Sequence, residues 1–126
     1  MGLTILCVSQ ASAAQVTRNL ALERAGYRVV NTDDPQEAEC VFLSDSISAV
    51  VFGETIKPQH HIDLGSKFKR IRPAVPIVFL YRMNGLRVPP GIADEQVEFL
   101  RGPKLLLQAL DRVLGNACDD VAEEED

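Results

Sequence analysis

The chain has 126 residues, 46% of them hydrophobic and 25% charged, enough for one domain with a substantial core. No apolar run approaches the roughly 20 residues of a membrane span, and no basic segment precedes the N-terminal apolar stretch, so cytoplasmic residence is expected. The net charge of −5 argues against nucleic-acid binding, and six acids, Asp119, Asp120, Glu123, Glu124, Glu125 and Asp126, are gathered in the C-terminal tail.

Leu3 to Val8 is a continuous apolar run, as in a strand buried on both faces. Ser12 and Gln15 have capping-box spacing for a helix through Val16, Leu20 and Leu22, with Gly26 as its left-handed stop. Arg28 to Thr32 is a second strand. Asp34, Pro35 and Glu37 then supply cap, first-turn proline and third-position carboxylate for a helix carrying Ala38, Val41, Phe42 and Leu43. Ser48 to Phe52 is a third strand. The third helix is expected over Asp63 to Arg72, with Leu64, Phe68 and Ile71 on one face and Lys67, Lys69, Arg70 and Arg72 in water.

Pro76 to Tyr81 and Val97 to Leu100 are the fourth and fifth strands, and the last helix opens at Pro103. Between them, Met83 to Glu95 contains Pro89 and Pro90, so a helix there is short or broken. The pattern predicts an α/β fold: a doubly wound three-layer sandwich on a five-stranded parallel sheet. Residues 1–116 form the domain, and 117–126 an acidic, disordered tail. In this architecture a site lies beyond the carboxyl ends of the strands, which are Ser9, Gly53, Tyr81 and Arg101.

Cys7, Cys40 and Cys118 lack metal-ligand spacing, and Cys7 and Cys40 read as core residues. His60 and His61 lack a third ligand nearby and read as an exposed loop pair. No metal, cofactor or nucleophile-base pair is implied.

Short stretches resemble the receiver domain of bacterial response regulators. "NLALERAGYRVV" (Asn19 to Val30) is similar to its first helix and second strand, "KRIRPAVPIVFL" (Lys69 to Leu80) to its third helix and fourth strand, and "FLRGP" (Phe99 to Pro103) to its fifth strand end. The likeness covers roughly Thr4 to Gly115 and implies a flavodoxin-like receiver fold. Active receivers carry a phosphoacceptor aspartate after the third strand and a magnesium-holding acid pair after the first. A threonine or serine follows the fourth strand, and a lysine the fifth.

The resemblance puts Ser9 and Gln10 at the acid pair, Tyr81 at the hydroxyl and Gly102, beside Arg101, at the lysine. Gly53 falls at the phosphoacceptor, a register favoured by Ile56; Pro58 favours Glu54 instead. All of these positions differ, and the phenol of Tyr81 is expected to fill the pocket. The resemblance thus implies a degenerate receiver that takes no magnesium and works by contact with a protein partner or a second copy, through a face including Leu86, Val88, Ile92 and Phe99. A small-ligand sensor using the vacated pocket is the alternative, and an enzyme on this fold the least favoured. No nucleic-acid or membrane partner is expected.

Overall fold

The computed structural model describes residues 3–10, 13–44, 46–53, 58–81, 91–98 and 103–114. The elements run β1 (Thr4–Val8), α1 (Ala13–Arg24), β2 (Arg28–Thr32), α2 (Pro35–Ser44), β3 (Ala49–Phe52), α3 (Pro58–Ile71), β4 (Ile77–Tyr81), β5 (Glu95–Glu98) and α4 (Pro103–Leu114). The strands form one parallel sheet in the order β2-β1-β3-β4-β5, the doubly wound architecture the sequence pattern predicts. Of the short or broken helix expected between β4 and β5, residues 82–90 lie outside the described residues, and Gly91 (φ 94°) begins a turn leading to β5. The acidic tail also lies outside them. No helix among the described residues is long and apolar enough to cross a membrane.

Strand residues alternate between two cores, which is why these strands are apolar on both faces. Ile5, Cys7, Ala49, Val51, Val78 and Leu80 pack with Leu22 of α1 and Leu106 and Leu110 of α4. Leu6, Val8, Val50, Phe52, Ile77 and Phe79 pack with Phe42 of α2 and Leu64 and Phe68 of α3. Each fully buried Leu, Ile or Phe contributes about 1.5–3 kcal/mol of transfer free energy. On the first face, the Tyr27 hydroxyl donates to Asp111 Oδ1 at 3.3 Å, tying the end of α1 to α4.

The helix ends follow their local chemistry. Gly26 (φ 100°) closes α1, with Tyr27 N donating to Leu22 O at 3.1 Å and Gly26 N to Glu23 O at 3.0 Å, the paired bonds of a Schellman stop. Asp34 Oδ1 accepts from Gln36 N at 3.0 Å and caps α2. At its other end, Arg72 donates to the carbonyls of Phe42 at 2.6 Å and Leu43 at 3.2 Å. A cation there meets the negative end of the helix dipole.

Several expectations are corrected. α3 begins at Pro58, not Asp63, because proline fits the first helical position, where its missing N–H costs nothing. Ile71, Leu43 and Cys40 are exposed, since they lie on the outer sides of their helices. Lys69 is mostly covered and donates to Asp94 Oδ2 at 2.7 Å, an oxygen that also accepts from Ile77 N at 2.7 Å. Together with Arg72, it removes two of the four cations expected to stay in water. β5 starts at Glu95, two residues before the expected Val97.

Candidate functional site at the carboxyl ends of the strands

Val8 and Phe52 are partners in the β1–β3 pair, so Ser9 and Gly53 lie side by side just beyond it. The backbone holds both: Ser9 N donates to Thr32 O at 3.0 Å and Gly53 N to Val8 O at 2.9 Å. The approach is close enough that a Cβ added to Gly53 would lie 2.4 Å from Ser9 Cβ and 3.3 Å from its Oγ. A glycine is required there by space alone.

The next atom out is cationic. Arg18 of α1 is only 6% exposed, and its Nη2 donates to Ser9 Oγ at 2.9 Å and stands 3.4 Å from that Cβ position. Gln15 Nε2 donates to the same Ser9 hydroxyl at 3.4 Å and to Asn31 Oδ1 at 3.3 Å. The Gln15 amide thus serves the strand ends; Ser12, its expected capping partner, lies outside the described residues. Beneath this cluster Cys7 is buried, and burial pushes its thiol up to about 12, against a smaller opposing pull from Arg18.

His61 stands in the first turn of α3, its ring 5.0 Å from the Phe52 ring. Burial holds the imidazole below its ordinary value of 6.5, a direction the Gly53 backbone opposes and His60 reinforces. The loop expectation fails for both histidines, which are helical; His60 is exposed as expected, whereas His61 is half-buried.

Tyr81 ends β4 and is half-buried. The three atoms nearest to a Cβ at Gly53 belong to Ser9 and Arg18, on the β1–α1 side. Gln10 is exposed. Glu54, Arg101, Gly102, Leu86, Val88 and Phe99 lie outside the described residues. Ile92, expected at an exposed partner face, packs against the second core, and its Cγ2 lies 3.1 Å from a Cβ position at Gly65 of α3.

Among the described residues at these strand ends, Ser9, Gln10, Gly53 and Tyr81 offer magnesium no carboxylate. A small hard divalent cation wants oxygen ligands with carboxylate charge. Ser9 and Gln10 bring none, and a guanidinium already holds the Ser9 hydroxyl. Among the described residues no group of three His, Cys, Asp or Glu side chains could hold a metal ion.

Sequence reasoning missed Arg18 because the α1 pattern reads inside out. Val16 (57% exposed) and Leu20 (49%) face solvent, whereas Gln15, Arg18 and Leu22, at spacings of three and four, face the protein. That spacing on one helical face was the available signal. His61 was missed because adjacent residues were taken as extended; on a helix they diverge by about 100° and need not share an environment.

No protein-family profile and no curated protein matches the chain. Solved structures do. A signal receiver domain of an HD domain-containing protein from Pseudomonas fluorescens Pf-5 is 15% identical with a TM-score of 0.79, covering 95% of this chain and 100% of that one. A CheY-like response regulator receiver domain protein from Methanospirillum hungatei JF-1 is 16% identical with a TM-score of 0.77, over 94% and 98%. A chain in the complex of histidine kinase ThkA with response regulator TrrA is 18% identical with a TM-score of 0.75, over 89% and 98%. The fold is that of response-regulator receiver domains.

Proposed function

We propose that this chain is a receiver-like signalling module that does not accept phosphate, takes no magnesium and acts by binding another protein, not by catalysis. The observation that carries this reading is the Ser9–Gly53 approach, which leaves no room for an acceptor side chain where the resemblance puts the aspartate. The Arg18 guanidinium adds a fixed positive charge where receivers of this fold recruit a soluble cation. Protein contact is supported by Val16 and Leu20, exposed one turn apart on α1. The kinase–regulator complex among the similar structures is a precedent for docking by this fold.

A small-ligand sensor is the weaker reading, because Ser9 and Arg18 occupy the space over Gly53 that a ligand would use. The test is incubation with acetyl phosphate and magnesium followed by intact mass. The expected result is no gain. A stoichiometric gain of one phosphoryl group, labile to hydroxylamine, would refute the proposal.

A further inference from the structure

Among the described residues, the exposed large apolar side chains are Val16, Leu20, Leu43 and Ile71, and they fall into two pairs. Val16 and Leu20 lie on α1. Leu43 and Ile71 lie on α2 and α3, across the sheet from α1. Lys67 of α3 bonds Glu39 of α2 at 2.9 Å, and Ile71 and Leu43 each follow four residues later. Both helices run antiparallel to the strands, so the same spacing places Leu43 and Ile71 side by side, one turn further on. The Arg72 guanidinium closes that end, donating to the Leu43 carbonyl at 3.2 Å and lying 5.2 Å from the Phe42 ring centroid.

The rim of this apolar pair is basic. Lys67, Lys69, Arg70 and Arg72 stand at the end of α3, against the carboxylates bonded there, Glu39 and Asp94; Asp45 lies outside the described residues. The chain carries a counterpart: Asp119, Asp120, Glu123, Glu124, Glu125 and Asp126 surround Val121 and Ala122. Residues 115–126 lie outside the described residues, but α4, which leads to them, ends close to α3. Arg112 in its last turn bonds Glu95 at 3.0 Å, and the preceding residue, Asp94, is held by Lys69 at 2.7 Å. The ends of α3 and α4 thus grip residues whose Cα atoms are about 3.8 Å apart. From Leu114, an extended chain reaches about 17 Å at Asp119 and about 40 Å at Asp126, whereas α3 itself is about 21 Å long.

We propose that the acidic segment 119–126 docks on this face of its own chain, its carboxylates against the α3 cations and its backbone over Leu43 and Ile71. Exposed ion pairs are individually weak and are screened by salt. Docking therefore depends on several charges acting together and on the tether from α4, which raises the local concentration of the segment to about the millimolar range. That tether favours the chain's own segment over one from a second copy. Docked, the segment shields the apolar pair of α2 and α3, while Val16 and Leu20 on α1 stay open to a partner. This contact is independent of whether the module accepts phosphate.

The test places a nitroxide spin label within the segment, through Ala122→Cys in the whole chain carrying Cys40→Ser and Cys118→Ser. Backbone amides of residues 39–43 and 67–72 should lose more than half of their NMR intensity at about 0.1 M salt. They should recover at about 1 M, where the screening length falls from about 10 Å to about 3 Å. Adding Lys67→Glu and Arg70→Glu should likewise restore the intensity. The proposal is overturned if those amides keep their intensity at low salt, or if the loss survives either high salt or the charge reversal. A loss appearing only when labelled chains are mixed with isotope-enriched unlabelled ones would assign the contact to a second copy, and would overturn it too. The salt comparison decides even if the charge-reversed variant does not fold.

Discussion

Gly53→Ala adds a single methyl group at the tightest contact among the described glycines. Its Cβ would lie 2.4 Å from Ser9 Cβ, against the roughly 3.5–4.0 Å of an ordinary carbon contact. A Cβ has no rotamer with which to escape, so β1 and β3 must part by about 1 Å, straining the Gly53 N to Val8 O bond of 2.9 Å. Overpacking of this kind costs about 1–3 kcal/mol. At roughly 4 °C per kcal/mol for a domain of this size, a 2 kcal/mol loss lowers Tm by about 8 °C. Ser9→Gly alone removes the hydroxyl that accepts from Arg18 and Gln15, at about 1–3 kcal/mol. The double variant loses the clash as well, so the two costs should fail to add by about 1–2 kcal/mol in the favourable direction. Urea melts followed by circular dichroism measure all four corners of the cycle. The steric reading fails if Gly53→Ala stays within about 0.5 kcal/mol of wild type, or if the double variant is simply additive.

Restoring Ser9→Asp, Gln10→Asp, Gly53→Asp, Tyr81→Thr and Gly102→Lys together should give no magnesium binding by calorimetry until Arg18→Ala is added; binding with Arg18 in place would show that the guanidinium can swing clear. Iodoacetamide at pH 8 should alkylate exposed Cys40 in the folded protein and spare Cys7, whose thiol is pushed up to about 12; peptide mapping reads both, and comparable labelling would contradict the burial. For His61 the folded-state value lies below 6.5, so the unfolded chain binds its proton first as pH falls. Its contribution should be full above about pH 6.5 and fall below it, by at most about 1.36 kcal/mol per pH unit. The stability difference between wild type and His61→Gln should therefore be flat from pH 7 to 8 and shrink toward pH 5; a difference growing on acidification would reverse the sign.

The sheet was legible because its strands are buried on both faces and read as apolar runs whatever their register. Gly26 and Asp34 were legible because a left-handed stop and a helix cap depend on residues adjacent in sequence. The site was only half legible. Resemblance located Ser9 and Gly53, but the distance between them is set by two strands 44 residues apart, which no local pattern encodes. Arg18 was hidden because a polar stripe on a buried helix face inverts the usual hydropathy rule. Its neighbours Val16 and Leu20 then drew attention to the solvent side. His61 was hidden by the start of α3, where Pro58 opens a helix whose first turn, Pro-Gln-His-His, carries no apolar period.

The cation's chemistry gives the cluster its character. A magnesium ion arrives from solution, and its occupancy can be changed by a chelator or a competing ligand. A guanidinium on α1 is covalent, always charged and weakly hydrated, which suits it to a site only 6% exposed. Its acceptor, Ser9, is neutral, and so is the Gln15–Asn31 pair beside it. A conformational equilibrium shifts only when something binds its two states differently. On the proposed reading, α1, β1 and β3 are joined at Gly53 by parts that do not exchange, so no phosphoryl group or metal ion is left to bias them.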